Sequence, residues 1–131
     1  MNKKIIKSVA YDVQKTIDEI MQEVQAHIER EELFYDVKLI LSEIFTNALI
    51  HGNRKNPVLT ITVEYEISDD FIKARLTDEG PGFNYNDIKD PLAAENIIKF
   101  SGRGLFLIRQ LADEISFNVS GNSVTIVKKF I

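Results

Sequence analysis

The chain has no cysteine, which excludes disulfides, thiolate nucleophiles and cysteine-built metal cages and suits a reducing compartment. No apolar run approaches the ~18 residues of a membrane span, and the basic N-terminus lacks the apolar core of a secretory signal. A soluble, unexported, cytoplasmic protein is expected. No Pro/Gly/Ser-rich linker interrupts the chain before residue 80, and no internal repeat or low-complexity tract is present, so the 131 residues are expected to form one domain around one core. Positive charge is also in short supply. With 16 Lys plus Arg against 20 Asp plus Glu the net charge is −4, which argues against sequence-independent binding to nucleic-acid backbones. Only local basic patches remain, "KKIIK" at residues 3–7 and Lys128 with Lys129.

What is present is strong patterning. After a short strand at 3–7, Val13, Ile17, Ile20, Met21, Val24 and Ile28 recur at helical spacing. A second helix is expected from about Tyr35 to Ile50, with Val37, Ile40, Leu41, Ile44 and Ala48 on one stripe and Gly52 with Asn53 as its stop. Residues 58–67, "VLTITVEYEI", alternate strictly, and a second alternating strand directs Ile72, Ala74 and Leu76 inward and, by the same parity, Asp78. From Gly80 to Gly104 the texture changes, with four of the six glycines and two of the three prolines in one long irregular segment. A third helix, "LFLIRQLAD", and two strands at about 114–119 and 123–130 close the chain. This order predicts an α+β two-layer sandwich, a mixed β-sheet covered on one face by about three helices.

Three constellations carry chemistry. Glu43, Asn47 and His51 stand at i, i+4 and i+8, a polar row bordering the apolar stripe. An amide oxygen is a neutral hard ligand for Mg²⁺ and a carboxylate one turn away can accept a proton, although a solvated flank has the same spacing. An inward Asp78 before "EGPG" needs a donor. It either caps its own turn or accepts from the exocyclic amine of adenine, with Gly80 and Gly82 letting the backbone approach a flat ring. In "SGRGLFLI", glycines just before a helix leave its first N–H groups free for phosphates, and Arg103 adds a fixed positive charge.

Taken together, "EIFTNALIHG", "DEGPGF" and "SGRGLFLI" resemble, in order and approximate spacing, the N box and two glycine boxes of the Bergerat ATP-binding fold shared by gyrase, histidine kinases and MutL. The "NALIHGN" form and the closing "SVTIVKKF" are most similar to the bacterial anti-sigma-factor serine/threonine-protein kinases, and the similarity runs from about Tyr35 to Ile131. The resemblance implies ATP and Mg²⁺ as cofactors, Glu43 as catalytic base and Asn47 as the Mg²⁺ ligand that bridges to the phosphates. It implies Asp78 on the adenine amine with Gly80 and Gly82 beside it, and Gly102, Arg103, Gly104 and Leu105 closing the phosphate site. Residues 84–101 would form the ATP lid, and Thr125 would be the last-strand threonine that approaches the adenine pocket. His51 and Gly52 match the family's motif, with helix ending and packing as their physical role.

The resemblance further implies phosphorylation of a STAS-domain anti-anti-sigma protein, sequestration of a sigma factor and a homodimer, with no direct contact to nucleic acid or membrane. Two other functions share the same boxes. One is an ATP-gated binding module that holds a partner without turning it over, in which Glu43 is vestigial. The other is a histidine kinase module, for which His27 in "AHIEREEL" is the only upstream phosphoacceptor candidate and lacks the acceptor motif after it.

Overall fold

The computed structural model describes residues 1–80 and 104–131. Strand β1 (Asn2–Lys7) leads into a helical hairpin, α1 (Ala10–Gln25) and α2 (Glu31–Thr46), and α2 continues without a break into a π-helical turn at Asn47–Gly52. Strands β2 (Thr60–Ile67) and β3 (Phe71–Thr77) follow as a hairpin, and α3 (Gly104–Leu111), β4 (Glu114–Phe117) and β5 (Ser123–Lys129) complete the described elements. No helix among the described residues is long and apolar enough to cross a membrane.

Strand alternation divides the sheet into two faces. Ile61, Val63 and Tyr65 of β2 and Ile72, Ala74 and Leu76 of β3 all point to one side and are buried there, joined by Ile126 of β5. The helical stripes close over them: Val13, Ile17, Ile20, Met21 and Val24 from α1, Val37, Ile40, Leu41, Ile44 and Phe45 from α2, and Ile108 from α3. Each large side chain fully removed from water here contributes about 1.5–3 kcal/mol, so the period of the sequence is what selects the covered face. Tyr65 is carried inside whole, with its hydroxyl donating to Glu23 Oε1 at 3.3 Å. Lys4 and Glu19 form an ion pair that ties β1 to α1.

The two-layer α+β architecture expected from the sequence is present, but among the described residues the sheet is antiparallel throughout and not mixed. The strand order is β1-β2-β3-β5-β4, and each neighbouring pair is antiparallel. The reason lies in the connections. A single crossover helix returns the chain so that the next strand runs parallel, whereas a helical hairpin returns it twice, and β2 therefore runs against β1. After α3 the chain does run along the direction of β3, but β5 inserts between β3 and β4 and keeps both pairings antiparallel.

Helix α2 begins four residues earlier than the apolar stripe suggested, because Glu31 and Glu32 favour the positive end of the helix dipole in its first turn. The sheet face turned away from the helices is polar and open. There Arg75 donates from Nε and Nη2 to Glu64 Oε1 and Oε2 at 3.1 and 2.9 Å.

Candidate functional site

The site begins where α2 changes its winding. At Asn47 the helix widens into a π turn, and Asn53 N donates to Ala48 O, five residues back, at 2.9 Å. Such turns are rare and concentrate at functional positions. The helix does not stop on a left-handed glycine, as Gly52 with Asn53 would have suggested. Gly52 has no positive φ, and the reversal falls on Arg54 (φ 52°) and Lys55 (φ 56°), residues for which that region costs about 1–2 kcal/mol each.

Gly52 is required for room. A Cβ placed on it would lie 2.3 Å from both Cγ and Oδ2 of Asp78. Asp78 continues the inward parity of β3 beyond Leu76, and its carboxylate fills the space that any other residue at 52 would occupy. Gly80 packs back on the same point, since a Cβ there would meet Gly52 O at 2.1 Å. The glycine in "DEGPG" therefore accommodates the backbone at the end of the helix, and the packing role expected of Gly52 becomes a direct contact with the candidate adenine carboxylate.

Both sequence readings of Asp78 meet in one side chain. Oδ1 accepts from Gly80 N at 2.8 Å and caps the turn, while Oδ2 accepts nothing among the described residues. Burial pushes the carboxyl above its ordinary value of 3.8, and the Gly80 N–H opposes that rise in part. One oxygen is thus structural, and the other has no partner among the described residues.

Asn47 supplies the second unusual group. Its Oδ1 is the one buried side-chain atom among the described residues that lacks a hydrogen-bond partner. Leaving such an acceptor unpaired costs about 1–3 kcal/mol, and a ligand is one physical reason to tolerate it. Glu43 lies one helical turn earlier and is half-buried, so the two keep the neighbourhood their spacing suggested. His51, the third of the row, is exposed in the π turn.

The last strand corrects one further expectation. Thr125 pairs with Arg75 and Ser116, and cross-strand partners share a face, so Thr125 lies on the open side of the sheet, away from α2. A cavity of about 420 Å³ on that side is lined by Glu64, Arg75, Thr77, Ser116, Ser123 and Thr125 among others. The β5 neighbour of Asp78 is Asn122. Asp78 N donates to Asn122 O at 2.9 Å, and Asn122 Nδ2 donates to Asp78 O at 3.0 Å.

Gly104 and Leu105 open α3. Gly82, Gly102, Arg103 and the lid expected at 84–101 lie outside the described residues.

Residues 8–128 match the histidine kinase-like ATPase domain family. The chain belongs to that family. The match takes in α1, which the sequence motifs did not reach, and so covers nearly all of the fold described above. The chain is similar to curated proteins named serine-protein kinase RsbW. It is 38% identical to that of Staphylococcus epidermidis over 101 residues, or 71% of this chain and 64% of the relative. It is 37% identical to that of Staphylococcus aureus strain bovine RF122/ET3-1 over the same shares of the two chains. The chain thus spans less than two thirds of the length of these relatives.

Two residues of this histidine kinase-like ATPase domain that touch the site were not apparent from the sequence. Asn122 stands in the turn "SGN", where asparagine is ordinary. Asn53 follows the helix in "HGN" and reads as a stop, yet it is 1% exposed. A buried asparagine is rare enough to need partners, but no local pattern names them.

Proposed function

We propose that this domain binds ATP with Mg²⁺ between the end of α2 and the end of β3, and transfers the γ-phosphate to a serine or threonine hydroxyl of a partner protein. The observation that carries the reading is the buried Asn47 Oδ1, which has no partner among the described residues, one turn from Glu43 on the helix whose end packs on Asp78. An amide oxygen of this kind fits a hard cation that takes few protein ligands and draws the rest from phosphate and water. The similarity to serine-protein kinase RsbW supports the reaction class.

In this proposal Oδ2 of Asp78 accepts from the exocyclic amine of adenine, while Oδ1 keeps the turn closed. Gly80 and Gly82 border the base, and Gly102, Arg103, Gly104 and Leu105 hold the phosphates at the start of α3. Asn47 holds the Mg²⁺, which when bound offsets negative charge on the phosphates. Glu43 takes the hydroxyl proton as the acceptor oxygen bonds to the γ-phosphorus. The bond from that phosphorus to the β–γ bridging oxygen breaks, and its electron pair leaves with ADP. The acceptor in this reading is a STAS-domain anti-anti-sigma protein, and the domain, as a homodimer, sequesters a sigma factor until that antagonist displaces it.

The test is transfer of labelled γ-phosphate to STAS-domain proteins of the same genome, run beside an ATP titration. Glu43→Ala should keep ATP affinity and lose transfer by about 100-fold or more, the usual contribution of a positioned base. Unchanged transfer in that variant would remove Glu43 from the role. Tight ATP binding by the unaltered domain with no transfer would instead support an ATP-gated binding module.

A further inference from the structure

Asn53 uses its whole side-chain amide. Its Nδ2 donates to Ser8 Oγ at 2.6 Å and to Thr60 O at 2.8 Å, and its Oδ1 accepts from Glu79 N at 2.8 Å. Ser8 is fully buried and donates in turn to Leu59 O at 2.9 Å. One side chain therefore ties together the β1–α1 junction, the entry to β2, the end of the π turn and the residue that follows Asp78.

The bond to Glu79 N is the one that reaches the site. Glu79 lies between Asp78, whose Oδ1 caps the turn, and Gly80, whose Cα stands against Gly52 O. The Glu79 carboxylate makes a second, outer tie, accepting from Thr60 N at 2.6 Å and from Thr60 Oγ1 at 3.3 Å. The peptide carrying the candidate adenine carboxylate is thus held from inside by Asn53 and from outside by Thr60. Its position does not depend on the interior of β3 alone.

We infer that Asn53 is a positioning residue for base selection, fixing the Asp78–Gly80 turn so that Oδ2 of Asp78 faces an exocyclic amine. The inference rests on the adenine reading of Asp78 given above. A side chain that only closed the end of the helix would influence stability and leave the choice of base alone. One that fixes the direction of the carboxylate influences both, because a carboxylate swung by a fraction of an ångström loses the amine as partner and discriminates less against a base that presents an oxygen there. Ser8 provides the comparison, since it shares the network but touches no part of the 78–80 turn.

The experiment measures ATP and inosine triphosphate affinities, with thermal melts, for the unaltered protein, Asn53→Ala, Glu79→Ala and Ser8→Ala. The two nucleotides differ in the group that the adenine amine would occupy. The unaltered protein should prefer ATP by about tenfold or more. Asn53→Ala should lose most of that preference, Glu79→Ala part of it, and Ser8→Ala should melt earlier while keeping the preference. No preference in the unaltered protein would overturn the adenine reading of Asp78 and this inference with it. A preference kept in full by both Asn53→Ala and Glu79→Ala would overturn the positioning role alone. If Asn53→Ala does not fold, Asn53→Ser, which keeps a polar group beside Ser8 but is too short to reach Glu79 N, decides, and full preference in that variant overturns the inference.

Discussion

The two faces of the sheet handle polar groups in opposite ways. On the open face polar side chains are many and exposed, and they serve one another, as Glu64 and Arg75 do. On the helix face they are few, and each is bound into a shape: Asn53 with three hydrogen bonds, Asp78 pressed beneath Gly52, and Asn47 with an oxygen that has no partner among the described residues. Solvent can replace a lost partner on the first face and cannot on the second, so a polar group kept on the second face is either fully satisfied or reserved for a ligand. This difference directs attention to the end of α2, although a cavity lined by described residues lies on the other side.

The largest effect that would break the comparison is expected at Asp78. Asp78→Asn keeps an oxygen for the Gly80 N–H but removes the charge, and ATP affinity should fall by about 2 kcal/mol, roughly 30-fold. The unliganded protein should behave differently. Burial raises the folded-state pKa of Asp78, so the folded chain holds this proton more tightly than the unfolded one. The stability gained from it is present below the ordinary value of 3.8 and is lost as pH rises through the raised folded value. Asp78→Asn should flatten that part of the pH–stability curve and melt no earlier than the unaltered protein at neutral pH. Normal ATP affinity in this variant would end the pocket assignment.

Gly52→Ala sharpens the contrast with a smaller effect. The new methyl would sit 2.3 Å from the Asp78 carboxyl, so the carboxylate must move and stability should drop by about 1–3 kcal/mol. ATP affinity should fall with it. A melting temperature equal to that of the unaltered protein would mean that the two segments are not pressed together. The smallest effect is expected on the open face, where Thr125→Val should change ATP affinity by less than about twofold, as for surface substitutions away from a site. A tenfold loss measured in the same titration would return Thr125 to the pocket.

Much of this was legible in the sequence, for identifiable reasons. The alternation of "TITVEYEI" and the helical stripes name the buried face residue by residue, because side-chain direction follows from backbone period. Parity carried as far as Asp78, and spacing placed Asn47 one turn from Glu43. The errors have causes too. Parity would also have placed Thr125 outside, on the side of Thr77, had it been carried across the pairing, but the register of β5 against β3 is a long-range property. The antiparallel sheet follows from how many helices separate two paired strands, and that requires knowing which strands pair.

Period and composition alone determined which apolar residues are buried, roughly where the described helices and strands fall, and that the chain forms two layers, because these depend on neighbours close along the chain. What Gly52, Gly80, Asn53 and Asn122 are for was decided only in three dimensions. Their long-range partners lie 26 to 45 residues away, as Glu79 and Ser8 do from Asn53. A glycine that makes room and an asparagine that closes a network acquire those roles only when the end of one helix meets the end of a strand distant in sequence.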